Sequence, residues 1–164
     1  MSTIMKKATK KKKTAIKKKS VKKSRWVMVS GGFDPVHVGH VRMFEEAKKL
    51  GDKLLVVINC DDWLLRKKGQ KFMSGDDRAE IIKALRCVDA VHVLESDRMD
   101  VSEAIERFKP AIFANGGDRK DEKDIPESEV CQRLGVKMIF NVGGGKLRSS
   151  SELLHSYGNG KKHK

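Results

Sequence analysis

Residues 26–58 read WVMVSGGFDPVHVGHVRMFEEAKKLGDKLLVVI, and this stretch decides the fold. Trp26-Val27-Met28-Val29-Ser30 is a short apolar run halted by glycine, the mark of a strand covered on both faces. A loop holding Gly31, Gly32 and Pro35 follows. From Val41 to Leu50 the apolar period changes: Phe44, Ala47 and Leu50 are spaced to share one face of a helix. Gly51-Asp52 stops that helix, and Lys53 to Ile58 is again an almost unbroken apolar strand. Strand, helix and strand at this spacing form a crossover unit, which joins parallel neighbours.

The alternation continues along the chain. Helical patterns at about Asp62–Lys67 and Asp76–Leu85 precede a strand at Ala90–Leu94. A helix at Val101–Phe108 ends at Pro110, and Ala111–Ala114 is a fourth strand. Glu127–Leu134 reads as a helix, Val136–Phe140 as a fifth strand, and Ser149–His155 as the start of a last helix. The expected fold class is α/β: a three-layer α/β/α sandwich around a parallel, Rossmann-like five-stranded sheet. In such sheets ligands bind at the carboxyl ends of the strands, which directs attention to the loops at Gly31, Asn59, Asn115 and Asn141.

Charge divides the chain differently. The whole carries +14, yet residues 1–25 contain eleven Lys, Arg25 and no acid, while residues 26–160 are nearly neutral at −1. The expected organisation is a disordered basic arm at 1–25, one domain at 26–157 and a basic tail at 158–164. The arm is open to three readings: a nuclear address, a weak contact with nucleic acid or another polyanion, or a solvated extension without a partner. Cys60, Cys87 and Cys131 have no CxxC spacing, which suits reduced thiols in a cytoplasmic setting. No apolar run reaches membrane-spanning length, and no apolar core follows the charged N-terminus as in a secretory signal. Trp26, Trp63 and Tyr157 do not interleave into a base-stacking surface.

The chemistry concentrates in the first loop, Gly31-Gly32-Phe33-Asp34-Pro35-Val36-His37-Val38-Gly39-His40. Two glycines after a strand let backbone approach a ligand closely. A helix start offers unpaired N–H groups and the positive end of the helix dipole, both favourable to phosphate. Two imidazoles there add donors, with Gly39 leaving room between them. Two ordinary loop histidines are one competing reading and a metal pair is another, but for the latter no further Cys, His or carboxylate stands at a usual ligand spacing, and no metal site is expected. Near the other end, Arg148-Ser149-Ser150-Ser151 precedes Glu152 at another helix start, where hydroxyls suit phosphate and equally suit an ordinary serine cap.

The first of these segments resembles the GxFDxxHxGH signature of the cytidylyltransferase-like nucleotidyltransferases. The serine run looks like that superfamily's second motif, whose hydroxyls contact the triphosphate. The superfamily includes glycerol-phosphate cytidylyltransferases, heptose-phosphate adenylyltransferases, and the pantetheine-phosphate and nicotinate-mononucleotide adenylyltransferases. Asn59-Cys60-Asp61, Arg66-Lys67-Lys68-Gly69, Arg78 and Asn115-Gly116-Gly117-Asp118 are similar to segments of the glycerol-phosphate and heptose-phosphate branches.

The resemblance implies transfer of AMP or CMP from ATP or CTP to a sugar phosphate or glycerol phosphate, with release of pyrophosphate. Coenzyme-pathway adenylyl transfer is the alternative within the superfamily. A nucleic-acid-binding protein with a nucleotide-sensing, non-catalytic domain is the alternative from another class. The implied catalytic residues are His37, His40, Lys68 and Arg78. The implied nucleotide contacts are Gly31, Gly32, Phe33, Asp34, Gly39, Gly116, Gly117, Asp118, Ser149, Ser150 and Ser151. Mg²⁺ is expected to accompany the triphosphate, bound mostly through phosphates and water. A homodimer is a further expectation. Arg148 and the glycine-rich Val142–Lys146 depart from the family pattern where base and triphosphate should lie, so ATP against CTP stays open.

Overall fold

A computed structural model of the chain describes residues 24–95, 101–116, 125–144 and 149–159, with side chains described as far as Ser156. The apolar runs become five parallel strands: β1 (Trp26–Gly31), β2 (Lys53–Ile58), β3 (Ala90–Val93), β4 (Ile112–Gly116) and β5 (Lys137–Val142). Between them lie α1 (Val38–Lys49), α2 (Asp61–Lys68), α3 (Gly75–Lys83), α4 (Ser102–Phe108) and α5 (Ser128–Leu134), and α6 (Ser150–Asn159) follows β5. No helix among the described residues is long and apolar enough to cross a membrane.

The sheet order is β3-β2-β1-β4-β5. From β1 the chain steps outward through β2 to β3, then returns past β1 to β4 and β5. Right-handed crossovers in opposite directions require helices on opposite faces. One core accordingly packs Val27, Val29, Leu54 and Val56 against Phe44 and Ala47 of α1 and Ile82 of α3. The other packs Met28, Leu55, Val57 and Phe113 against Ala104 and Ile105 of α4 and Val130 and Cys131 of α5. Alternate residues of each central strand thus enter different cores, which explains why the strands read as unbroken apolar runs. Each fully buried side chain of Phe44's size stabilises by about 1.5–3 kcal/mol. The reversal of direction falls between β1 and β4, so their carboxyl ends frame the crevice where this architecture binds ligands.

Several boundaries differ from the sequence reading, among them the ends of β4 and β5, which each run two residues further, and three bear on the site or the domain limits. Helix α1 begins at Val38, three residues before the expected Val41, because His37 caps it. The arm is not separate up to residue 25: the Arg25 amide donates to Asp52 Oδ2 at 2.7 Å, and the Arg25 carbonyl accepts from the Asp52 amide at 2.9 Å. Helix α6 runs through Asn159, past the 157 boundary. Residues 1–23, Gly117, Asp118, Arg148 and 160–164 lie outside the described residues.

Candidate active site

The β1–α1 connection is shaped by its glycines and by Phe33. A Cβ on Gly31 would stand 2.9 Å from the Phe33 ring, and one on Gly32 would stand 2.8 Å from Leu64 Cδ2. Phe33 itself takes a positive φ of 49°, turning its ring inward. There it meets His40 edge-on at 5.0 Å and Phe44 at 5.1 Å between centroids.

His37 and His40 cap α1 reciprocally. His37 occupies the N-cap, and its Nδ1 accepts from the Gly39 amide at 3.1 Å. His40, three residues on, accepts the His37 amide at its own Nδ1 at 3.3 Å. This is the geometry of a capping box, with imidazoles in place of the usual hydroxyl and carboxylate. Gly39 is required for it, since a Cβ there would stand 2.9 Å from His37 Cε1. The rings stack with centroids 3.8 Å apart and planes 22° from parallel.

A nitrogen that accepts from a backbone N–H carries no proton. The backbone therefore assigns the neutral tautomer of each ring: Nδ1 bare and Nε2 protonated. Burial, then the neighbouring His37 and Lys68, push the His40 pKa down to about 3. His40 is thus a neutral imidazole at physiological pH that donates through Nε2–H.

Two more elements converge on the same loop. Lys68, in the last turn of α2, points its Nζ at the Asp34 carbonyl at 3.5 Å. Burial lowers its pKa, and Asp34 opposes that shift. Ser150, at the start of α6, donates from Oγ to the neighbouring Pro35 carbonyl at 3.0 Å. Ser149 caps α6: its Oγ accepts the Glu152 amide at 3.1 Å, and Glu152 Oε2 accepts the Ser149 amide at 3.1 Å. Ser151 is exposed. The histidine pair, Lys68 and the Ser149–Ser150 helix start are therefore gathered around residues 34–40, although 115 residues separate Pro35 from Ser150.

Three other expected site residues face inward. Arg78 is fully buried and donates from Nη1 to the Gly32 carbonyl at 2.6 Å and the Asn59 carbonyl at 2.9 Å, and from Nη2 to Asp61 Oδ1 at 2.7 Å. It fastens the ends of β1 and β2 together. Asp34 is also buried, and its carboxylate accepts the Phe72 and Met73 amides at 2.6 and 2.8 Å. That tether carries the α2–α3 loop back to the glycine loop, a link of 38 and 39 residues that no local pattern announces. At Gly116, a Cβ would collide with Met43 Sδ at 2.2 Å, so this glycine lets β4 approach α1.

The donor set near the loop is cationic or neutral. Asp61 is committed to Arg78 and Lys71, and no cluster of three or more potential metal ligands occurs among the described residues. Protonated imidazole nitrogens, an ammonium, and the amides and hydroxyls at two helix starts together suit a chain of phosphate groups.

Known proteins share this plan. A Cytidylyltransferase-like family model matches residues 28–135. The FAD synthase of Aciduliprofundum boonei is 38% identical over 113 residues, 68% of this chain and 73% of that one. The Bifunctional protein HldE of Geobacter metallireducens is 36% identical over 139 residues, which is 80% of this chain but 27% of that longer protein. Among solved structures, the lipopolysaccharide core biosynthesis protein of Thermoplasma volcanium superimposes with a TM-score of 0.59 at 29% identity, covering 72% of this chain and 94% of that one. With the match running from β1 through α5 and the histidine-capped helix at its head, the chain belongs to the cytidylyltransferase-like family of nucleotidyltransferases.

Proposed function

We propose that this enzyme transfers AMP from ATP, with CMP from CTP as the alternative, to the phosphate of a phosphorylated small molecule. The observation that carries the reading is the stacked His37–His40 pair, each ring fixed by a backbone N–H as an Nε2–H donor. In the reaction an acceptor phosphate oxygen attacks the α-phosphorus in line. The new P–O bond forms as the bond to the departing pyrophosphate breaks, with no covalent enzyme intermediate. Catalysis is positioning plus stabilisation of developing charge.

His40 donates to the α-phosphate and His37 to the α–β bridge region. The Ser149 to Ser151 helix start steadies the β- and γ-phosphates, and Lys68 neutralises charge between triphosphate and acceptor. The glycines at 31, 32, 39 and 116 keep backbone close to the nucleotide. Phe33 orients His40 through its ring contact, and Asp34 positions Lys68 through its own carbonyl and the loop it tethers. Arg78, with its guanidinium bound to two loop carbonyls and Asp61, is a positioning residue. Mg²⁺ accompanying the triphosphate would supply neutralisation of phosphate charge. Asp34 and Asp61 beside the loop are already engaged, so this chain would hold the ion through the bound triphosphate rather than through a carboxylate cage.

ATP is favoured as donor because FAD, the product in the FAD synthase relative's name, carries an adenylyl group. That name points to a flavin coenzyme precursor as one acceptor class, and the likeness of Gly116-Gly117-Asp118 to the heptose-phosphate branch points to a sugar phosphate as the other. A pyrophosphate-release screen tests both. ATP, CTP, GTP and UTP are paired with sugar phosphates, glycerol phosphate, flavin mononucleotide and other phosphorylated coenzyme precursors. Release with ATP and one acceptor class is expected. Preference for CTP with every acceptor would overturn the adenylyl choice, and no release with any pair would overturn the transfer reading.

A further inference from the structure

At the carboxyl end of β4, one buried polar atom has no hydrogen-bond partner among the described residues. Asn115 is the fourth residue of β4, one of the two strands framing the switch point. Only 6% of its surface is exposed, and its Nδ2 is buried without a hydrogen-bond partner among the described residues. Its position follows from strand alternation. Ile112 and Ala114 enter the core beneath α1, as would a Cβ on Gly116, whereas Phe113 enters the opposite core. Asn115 therefore lies on Phe113's side, at the carboxyl end of the sheet, across from the histidine-capped helix.

A buried amide donor left unpaired is a standing loss of stability, and native proteins retain few of them. An apolar side chain with the same branching at Cγ, such as leucine, would carry no unpaired donor there. We infer that Asn115 is a specificity-determining residue, whose carboxamide donates to a hydrogen-bond acceptor on a substrate lying across the β1–β4 crevice. A half-turn about χ2 exchanges Oδ1 and Nδ2, so the side chain can turn its donor toward an arriving group without backbone movement. Two parts of the bound substrates offer such an acceptor: the base or ribose of the nucleotide, and the acceptor molecule. The inference rests on the nucleotidyltransfer reading above and adds to it the place where one substrate's identity is read.

The test compares wild type with Asn115→Leu and Asn115→Asp, each intact. Melting temperature is measured without substrate, affinity for ATP and CTP by titration, and KM and kcat by pyrophosphate release. Asn115→Leu should melt at or above the wild-type temperature, because the orphan donor is gone. It should also lose recognition by a factor of about 5 to 100, the range expected for one hydrogen bond in a buried site. A loss in triphosphate affinity assigns the contact to the nucleotide, and a rise in acceptor KM alone assigns it to the acceptor. Asn115→Asp, which replaces the donor with an acceptor oxygen, should lose at least as much in the same arm. If Asn115→Leu binds and turns over both substrates like wild type, the inference is overturned. It is overturned equally if that variant melts lower while turnover per folded molecule is unchanged, which would make the residue structural. A wild type that binds no triphosphate and releases no pyrophosphate overturns the transfer reading instead, a result distinguishable without any variant.

Discussion

The His40 ring is constrained on three sides. His37 stacks on one face, Phe33 meets it edge-on, and its Nδ1 is engaged by the His37 amide. What remains for chemistry is one donor in a fixed direction and a neutral ring. A donor preorganised for charge that develops during reaction is typically worth on the order of 10²–10³ in rate, about 3–4 kcal/mol. His40→Ala should therefore lower kcat by that factor while triphosphate still binds. It should also cost about 0.5–2 kcal/mol of stability, because half of the α1 capping box is lost. A capping role alone would lower the melting temperature and leave kcat per folded molecule intact, so both must be measured on one preparation. Acid stability gives a second expectation. Above pH 6.5 neither the folded nor the unfolded state protonates His40. Between 6.5 and about 3 the unfolded state takes a proton that the folded state refuses, so stability contributed by the neutral ring is lost as pH falls. Urea unfolding across pH 4–7 should show wild type losing up to about 1.4 kcal/mol per pH unit more than His40→Asn. Equal slopes would mean that the ring is solvated. The HxGH spacing made this pair legible as two imidazoles at a helix start, which is where the structure has them. Their fixed tautomers were not, because these depend on which nitrogen meets a backbone amide.

Helices and strands were legible wherever period and stop signals agreed, as at Phe44, Ala47 and the Gly51 turn. The start of α1 was missed because the residue capping it is a histidine, outside the usual Ser, Thr, Asp and Asn. The serine run shows the opposite outcome: Ser149 is an ordinary N-cap, and Ser150 reaches the first loop as well. What periodicity could not supply was the link between elements. Asp34 reads in the sequence as part of a ligand loop, yet its carboxylate is spent on the Phe72 and Met73 amides, while its carbonyl faces Lys68. Asp34→Asn keeps the shape but exchanges one acceptor oxygen for a donor that faces an amide. It should cost about 1–3 kcal/mol. It should also free the α2–α3 loop, raising hydrogen exchange at the Phe72 and Met73 amides and lowering kcat/KM through a less well-placed Lys68. Unchanged exchange at those two amides would show that the loop is held by other contacts.

At the scale of the whole molecule, strand order and charge answer different questions. Alternating strands and helices announced a parallel sheet, but not the order β3-β2-β1-β4-β5 that sets the switch point beside β1. Once that order is known, crossover handedness assigns each helix to a face. Charge, by contrast, was fully legible: +14 overall, with residues 26–160 at −1. Every group proposed above to handle phosphate lies within β1 to α6, and none is among the eleven lysines of residues 1–24. A protein shortened to begin at Arg25 keeps the backbone bonds to Asp52 and should retain wild-type melting temperature and turnover. The arm's charge predicts a separate property. Each lysine that pairs with a nucleic-acid phosphate releases a counterion, so log K should fall with log salt at about 0.9 per contact on duplex DNA. Full-length protein should bind a random duplex weakly and lose that binding steeply as salt is raised, and the shortened protein should not bind it at all. Filter binding across a salt series, run beside pyrophosphate release on the same two proteins, separates the functions. A shortened protein that folds but loses most of its turnover would place part of the catalytic machinery in the arm. Equal DNA binding by both would move the polyanion site onto the near-neutral domain. There the proposed phosphate site is the natural place for a polyanion to lodge, and ATP should then compete for it.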